Sequence, residues 1–336
     1  MEINQELLRR IEITSNCHDS DYIPKCENAG NVIALSNGTM VQLMFNGIRV
    51  VAGGYYGNWM QQIIKNLYGH HEPQEEKVFF EIVKAMKQIK GSEATLAIME
   101  LGSFWSYYSL WFSVEFPNSK ALLIEPDVNY LNVGVKNFEL NGLKGFFANE
   151  VVSKEDKTEI DFVQESDGKK IKVKVFDFDN TLNLNNLNSV DILMCDIQGH
   201  ESYFFHQINR ALKGGKVQIA IISTHHKSIS GSWTTHENLL KYLTEIGGHI
   251  IAEHSVSESF SGDGLIAVSF AHEYSYLKVE TSRARNNQNI FTPYELELES
   301  IELNTEVKNS VEESTKKITW TRIKSKAKSL IRKLYY

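Results

Sequence analysis

Apolar positions along the chain gather into short dense runs separated by longer amphipathic stretches. From residue 94 the runs are ATLAIMEL, KALLIEP, KGFFANEVV, VDILMCDI, VQIAIISTH, HIIAEHS and GLIAVSF. They are nearly continuous in apolar residues, as strands covered on both faces are. Helical stretches lie between most of them, notably 128–141 and 236–247. This rhythm predicts an α/β fold, a doubly wound sheet with sites at the carboxyl ends of its strands. Residues 158–176 interrupt it and read as a hairpin insertion around Asp167 and Gly168.

The first 90 residues have a different pattern. Residues 3–14 read as a short amphipathic helix and residues 31–52 as three strands, with Asn46-Gly47 as the hairpin between the last two. Pro73 suits the first turn of a helix over 73–89. Three regions are therefore expected: an N-terminal cap over 1–90, a main domain over 91–275 and a tail over 276–336. In the tail, 294–314 is acidic, whereas 316–336 has no acid and repeats apolar residues at helical spacing between Lys and Arg. Such a basic amphipathic helix suits an anionic membrane surface or a protein partner. Docking on the domain, or pairing with the acidic segment, is the plainer alternative.

Charge and cysteine content narrow the partners. A net charge of −7 argues against a general nucleic-acid binder. Cys17, Cys26 and Cys195 form neither a disulfide framework nor a zinc pattern, so a reducing cytosol is expected. MEINQELLRRIEITSN lacks an apolar signal core, and no apolar run reaches the roughly 18 residues of a membrane span.

The chemistry begins at residues 96–127. An apolar strand runs into Glu100, Gly102, Ser103 and Ser106, a helix follows, and a second strand ends at Glu125. A tight turn after one strand and an acid after the next can hold a nucleoside-like cofactor, the acid accepting from a ribose diol. Gly102 is the only glycine in the turn, and Phe104 and Trp105 crowd it. A dinucleotide pyrophosphate would fit poorly. S-adenosylmethionine carries no phosphate and needs less clearance. Asp127 reads as a helix N-cap. For the adenine amine, Asn149, Glu150, Asp177 and Asp179 are the candidates.

ELGSFWSYYSLWF, IEPDVNYLNVGVKNFELNG and DILMCDIQGHE resemble the FkbM family of S-adenosylmethionine-dependent methyltransferases over about residues 95–272. YYGNWM with GHHEPQEE resembles a subgroup with this N-terminal module. The resemblance implies a seven-stranded Rossmann-like sheet with its last strand antiparallel, and O-methylation, often of sugars in surface glycans. Ser106 stands where the family has a second glycine, and Gln198 where many members have Glu.

In-line methyl transfer requires the acceptor oxygen to be held against the sulfonium, and a sugar hydroxyl needs a base or a metal to lose its proton. Asp196, with His225 or His200, is expected to activate the acceptor, and Glu201 to stand beside it. Convergence of Asp196, Glu201 and His225 would also suit a divalent metal of the Mn²⁺, Fe²⁺ or Zn²⁺ kind, although a metal-free base is the preferred expectation. His71, Glu75, Tyr56 and Trp59, with Tyr55, are expected to close over cofactor and acceptor. The rival reading is a methyltransferase-like domain that binds without catalysis.

Overall fold

The computed structural model describes residues 4–284. The chain begins with α1 (Gln5–Ser15), then β1 (Val32–Ala34), β2 (Met40–Leu43) and β3 (Arg49–Val51), which form an antiparallel sheet, then α2 (Asn58–Asn66) and α3 (Pro73–Lys90). Pro73 occupies the first turn of α3, where its missing N–H would have had no intrahelical partner. The bend between β2 and β3 places Gly47 at φ 84°. Helix α2 has no counterpart in the sequence reading.

The main sheet follows. Its elements are β4 (Ala97–Leu101), α4 (Tyr107–Glu115), β5 (Lys120–Ile124), α5 (Val128–Leu140) and β6 (Phe146–Ala148). After an excursion through β7 (Glu150–Val151), β8 (Glu159–Val163), β9 (Lys170–Val175) and α6 (Phe178–Leu184) come β10 (Val190–Cys195), α7 (Glu201–Gln207), α8 (Asn209–Lys213), β11 (Val217–Thr224) and α9 (Lys227–Ser230). The described fold ends with α10 (Thr235–Glu245), β12 (His249–His254) and β13 (Gly264–Ser269).

Seven strands pair in the order β12-β13-β11-β10-β4-β5-β6, and β13 runs antiparallel to both of its neighbours. The chain direction reverses its path between β4 and β10. In register, Leu101 lies beside Ile124 on one side and Cys195 on the other, and Cys195 lies beside Ile222. The residues that follow these strands therefore emerge together along one edge, at the topological switch point where α/β sheets bind ligands.

Alternation within the strands fills two cores. Ile98, Ile192, Met194, Ile219 and Ile221 pack with the N-terminal region and α3 and α4, including Phe79, Ile82 and Trp111. Met99, Leu101, Leu193, Cys195 and Ile222 face the opposite way, toward Phe204, Phe205, Leu239 and Leu243 of α7 and α10. Helix α5 also supports the N-terminal sheet. Asn137 Oδ1 accepts from Val51 N–H and Asn141 Oδ1 from Arg49 N–H, so one side chain of the helix and one just past its end satisfy the open edge of β3.

The stretch KGFFANEVV is not one strand. It breaks at Asn149, where β6 leaves the main sheet and β7 pairs instead with β9 of the 158–176 hairpin. The Asn149 amide donates to the carbonyls of Glu125 and Pro126, which pins the break against the end of β5. The small β7-β9-β8 sheet thus stands beside the switch point. Among the described residues no helix is long and apolar enough to cross a membrane. The 294–314 and 316–336 segments lie outside the described residues.

Candidate active site

A cavity of about 500 Å³ opens at the carboxyl ends of β4, β5 and β10. Its floor is the turn from Glu100 to Trp105. Glu125 to Asp127 form one side, and Asp196 to Gln198 with His200 another. Tyr55, Tyr56, His71, Glu72 and Glu75 come from the N-terminal region, and Glu150 to Glu155 with Ile160, Phe162 and Glu165 from the small sheet.

The floor turn needs glycine for a reason in addition to the one expected from the sequence. Gly102 has φ 74°, and a Cβ there would lie 1.7 Å from the Asp196 carbonyl oxygen. The residue is small so that the end of β10 can close on it. Gly102 and Ser103 both donate N–H to Ile124 O, at 2.9 and 3.1 Å. Ser103 lines the cavity with a buried hydroxyl that has no partner. Phe104 (φ 34°) stacks on Tyr130 with centroids 3.6 Å apart.

Two buried acids face this turn. Glu100 accepts from Ser109 N–H at 3.0 Å, and burial pushes its carboxyl up to about 7. Glu125 accepts from Phe104 N–H at 3.1 Å and Asp127 N–H at 2.9 Å. Burial nonetheless outweighs those bonds and raises it to about 8. Asp127 caps α5, accepting from Asn129 and Tyr130 N–H.

The N-terminal wall carries a fixed charge network. Glu76, fully buried, accepts from His71 N–H at 2.8 Å and contacts the Nδ1 atoms of both His70 and His71. Burial alone would raise its carboxyl, but the two imidazoles hold it well below the usual range. Burial likewise opposes charge on His71, yet Glu72, 3.3 Å from its Nε2, and Glu76 raise it to about 10. Glu75 accepts from Ser223 Oγ at 3.1 Å, and burial, aided by Glu72 and Asp196, lifts it well above the carboxylate range. Tyr55 stacks on Trp105 at 4.4 Å, and the edge of His71 meets Trp105 at 4.9 Å.

Across the cavity, Asp196 Oδ1 lies 3.0 Å from His225 Nε2. The Gln198 amide donates to Asp196 Oδ1 and touches His225 Nε2, both at 3.1 Å. Gln198 adopts φ 51° and Gly199 φ 91°. In that left-handed bend Glu201 Oε1 accepts from Ile197 and Gly199 N–H. Burial disfavours charge on His225, but Asp263, Asp196 and Glu201 together raise it well above its ordinary range.

The structure brings together Glu100, Gly102, Ser103, Glu125, Tyr56, His71, Glu75, Asp196 and His200 around one cavity. His225 stands directly behind Asp196. Other expected residues stand off the cavity, among them Asn149, whose amide donates to the Glu125 and Pro126 carbonyls, and Asp179, which pairs with Lys216. Ser106 adopts the left-handed conformation (φ 60°, ψ 36°), and its Oγ faces Gly134 of α5 rather than lining the cavity. Trp59 packs on the N-terminal core beside Tyr56. Asp177 is exposed and caps α6 through Asn180 N–H. Glu201 is fully buried and shapes the loop rather than facing an acceptor.

Sequence reasoning missed Asp263, whose Oδ1 lies 3.7 Å from His225 Nε2. Burial raises it to about 7 against the pull of His225. Its only sequence signal is the Ser-Gly-Asp-Gly turn before the last strand. Tyr130, which also lines the cavity, was passed over as well.

Residues 93–250 match the family described as the methyltransferase FkbM domain. The chain carries an FkbM methyltransferase domain. This is a domain of the S-adenosylmethionine-dependent class, and its first strand, floor turn, Glu125 and the Asp196 loop all fall inside the matched residues. No protein of curated function matches the chain. Among solved structures, WbdD is similar at 15% identity and a TM-score of 0.38, over 59% of this chain; the chain spans only 40% of WbdD. The METTL16 methyltransferase domain aligns at 15% identity and a TM-score of 0.41, over 78% of this chain and 92% of that one. TrmK of M. capricolum, solved with S-adenosyl-homocysteine, aligns at 13% identity and 0.35, over 60% and 74%.

Proposed function

We propose that the FkbM domain binds S-adenosylmethionine in the switch-point cavity and transfers its methyl group to a hydroxyl oxygen of a sugar or related metabolite. The observation that carries this is Glu125. It is a nearly buried carboxylate at the end of β5, facing the same cavity as the floor turn after β4 and Asp196 after β10. A ribose diol can donate two hydrogen bonds to it. The unpartnered Ser103 hydroxyl and Glu100 suit the polar amino-acid end of the cofactor. Glu150, which lines the wall near β6, is a better candidate than Asp177 for the adenine amine.

Asp196 is the group nearest to where an acceptor would meet the methyl. In the step, the acceptor oxygen forms the new C–O bond as the C–S bond breaks. The sulfonium becomes a neutral thioether, and the hydroxyl proton passes to Asp196 or to water. His225 acts through Asp196 by holding its orientation. The aromatic faces of Tyr55, Tyr56 and Trp105 suit the C–H surface of a sugar ring. No pyrophosphate cradle is present in the floor turn, which weighs against a dinucleotide. The reading is tested by calorimetric titration with S-adenosylmethionine in wild type and Glu125→Ala, followed by methyl release to a panel of sugars in wild type and Asp196→Asn. Micromolar binding lost in the first variant, and turnover lost with binding kept in the second, is the expected pattern. Absence of cofactor binding in the wild type would overturn it.

A further inference from the structure

The groups around His225 exceed what a simple base needs. His225 is fully buried, and its Nε2 meets Asp196 Oδ1 at 3.0 Å, Asp263 Oδ1 at 3.7 Å and the Gln198 amide at 3.1 Å. Three side chains from two separate loops, the one after β10 and the turn before β13, thus converge on one ring nitrogen. On the other side of the ring, Nδ1 lies 3.1 Å from Glu201 Oε1 but makes no hydrogen bond. Glu201 Oε2, also fully buried, has no partner. Buried polar atoms are almost always satisfied, so a neutral ring in this pocket carries its proton on Nδ1, toward Glu201, and leaves the Nε2 lone pair to the side where Asp196, Asp263 and Gln198 meet.

We propose that His225 Nε2, Asp196, Asp263 and the Gln198 side-chain amide bind one divalent cation of the Mn²⁺ or Mg²⁺ class. Ligand atoms about 2.1 Å from an octahedral cation lie roughly 3.0 Å from one another along each edge, close to the spacings found here. Gln198 Oε1 reaches the cation by exchanging places with Nε2 about the amide, a rotation that leaves the side chain where it is. His225 Nδ1 then turns its proton to Glu201, the carboxylate support that metal-bound histidines commonly have. Asp196, Glu201 and His225 already hold one ligand atom each within 4.8 Å of one another. The mixed carboxylate, amide and imidazole set fits Mn²⁺ better than an all-oxygen Mg²⁺ site. Because Asp196 also lines the cavity, the cation would acidify the acceptor hydroxyl. That purpose rests on the proposed function, but the binding does not.

The test is titration of the chelator-treated full chain with Mn²⁺, following the free-ion signal by electron paramagnetic resonance. One Mn²⁺ per chain is expected, weakened about tenfold or more in Asp263→Asn and in Gln198→Ala, and unchanged in Glu245→Gln on the far end of α10. Gln198 is exposed, so its variant serves even where Asp263→Asn does not fold. No loss of free signal up to about 1 mM Mn²⁺, or equal binding in wild type and in the folded variants, would overturn the site. S-adenosylmethionine is titrated into the same metal-free protein. Cofactor binding without Mn²⁺ binding removes the cation and leaves the methyltransferase reading standing. Mn²⁺ binding without cofactor binding does the reverse.

Discussion

Glu125 makes cofactor binding measurable as a proton count. Burial raises its carboxyl to about 8 despite hydrogen bonds from Phe104 and Asp127 N–H, with the negative charges of Asp127 and Asp196 adding to the rise. At pH 7 such a group is about nine-tenths protonated in the free protein. A ribose diol donates to the carboxylate, so binding favours the ionised form. About 0.9 proton should leave at pH 7 and about 0.1 at pH 9. Ionising the group costs about 1.4 kcal/mol at pH 7. Two charge-assisted bonds contribute roughly 3–6 kcal/mol, so the net gain is about 2–5 kcal/mol. Glu125→Gln should weaken S-adenosylmethionine by the order of 100-fold.

The assay is calorimetry at pH 7 in buffers of differing ionisation enthalpy. The slope of observed enthalpy against buffer enthalpy gives the protons released. Wild-type affinity should strengthen nearly tenfold from pH 6 to pH 7 and level off above pH 8. Glu100, raised to about 7 by burial, adds about half a proton at pH 7 if it meets the cofactor ammonium, and that part should survive in Glu125→Gln. For stability the sign is opposite. A raised acid contributes stability that is fully present below its unfolded value near 4.3 and is lost as pH rises through about 8. The ligand-free protein should therefore soften between pH 5 and 8 while its affinity grows. An enthalpy independent of buffer at pH 7, or the same proton release in Glu125→Gln, would refute the assignment.

Three other changes probe the scaffold. Glu76→Gln removes the buried carboxylate that both His70 and His71 contact, leaving His71 only the partly buried Glu72 as counter-charge, and should cost about 3–5 kcal/mol in urea unfolding. Because the Glu76 carboxyl is depressed, its stability is present above about pH 4.5 and lost as pH falls, so the variant's acid limb should be shallower. Ser106→Gly relieves a left-handed serine with an unpartnered hydroxyl and should raise stability by up to about 1 kcal/mol, with cofactor affinity unchanged within about twofold. Gly134→Ala places a Cβ 2.3 Å from Ser106 Oγ and 3.0 Å from Phe104 O, and should cost about 1–3 kcal/mol. Adding Ser106→Gly should recover part of that loss but not all, a non-additive pair that thermal unfolding can resolve.

The sheet was legible because its strands are buried on both faces. ALLI and DILMC carry almost no polar residue, and among soluble folds that density points to central parallel strands. Glu125 was legible for the same reason, since a strand-end acid after an apolar run has a fixed place at the switch point. Single residues whose role comes from distant backbone were not. Gly102 could be recognised as necessary, but its reason is the Asp196 carbonyl, nearly a hundred residues on, and no local pattern carries that contact. Ser106 was read as part of the cofactor turn, standing where the family has a second glycine, whereas its side chain faces Gly134 of α5. Asn149 reads as part of a strand by composition. It becomes a break only because its amide finds the carbonyls at the end of β5.

The same distinction explains the acid side of the site. Asp196, Gln198 and Glu201 share one loop and could be read together, and His225 ends the next strand. Asp263 enters from the turn before β13, the antiparallel strand inserted between β11 and β12. That insertion puts the start of β13 beside the end of β11, with Gly264 in register with Thr224. Residues just before the antiparallel strand are therefore delivered to the carboxyl edge of the parallel ones. An acid in that turn is a site candidate in this topology even though it precedes its strand. A parallel β13 would have carried Asp263 to the opposite edge, away from His225, so the one reversed strand is what completes the group around that histidine.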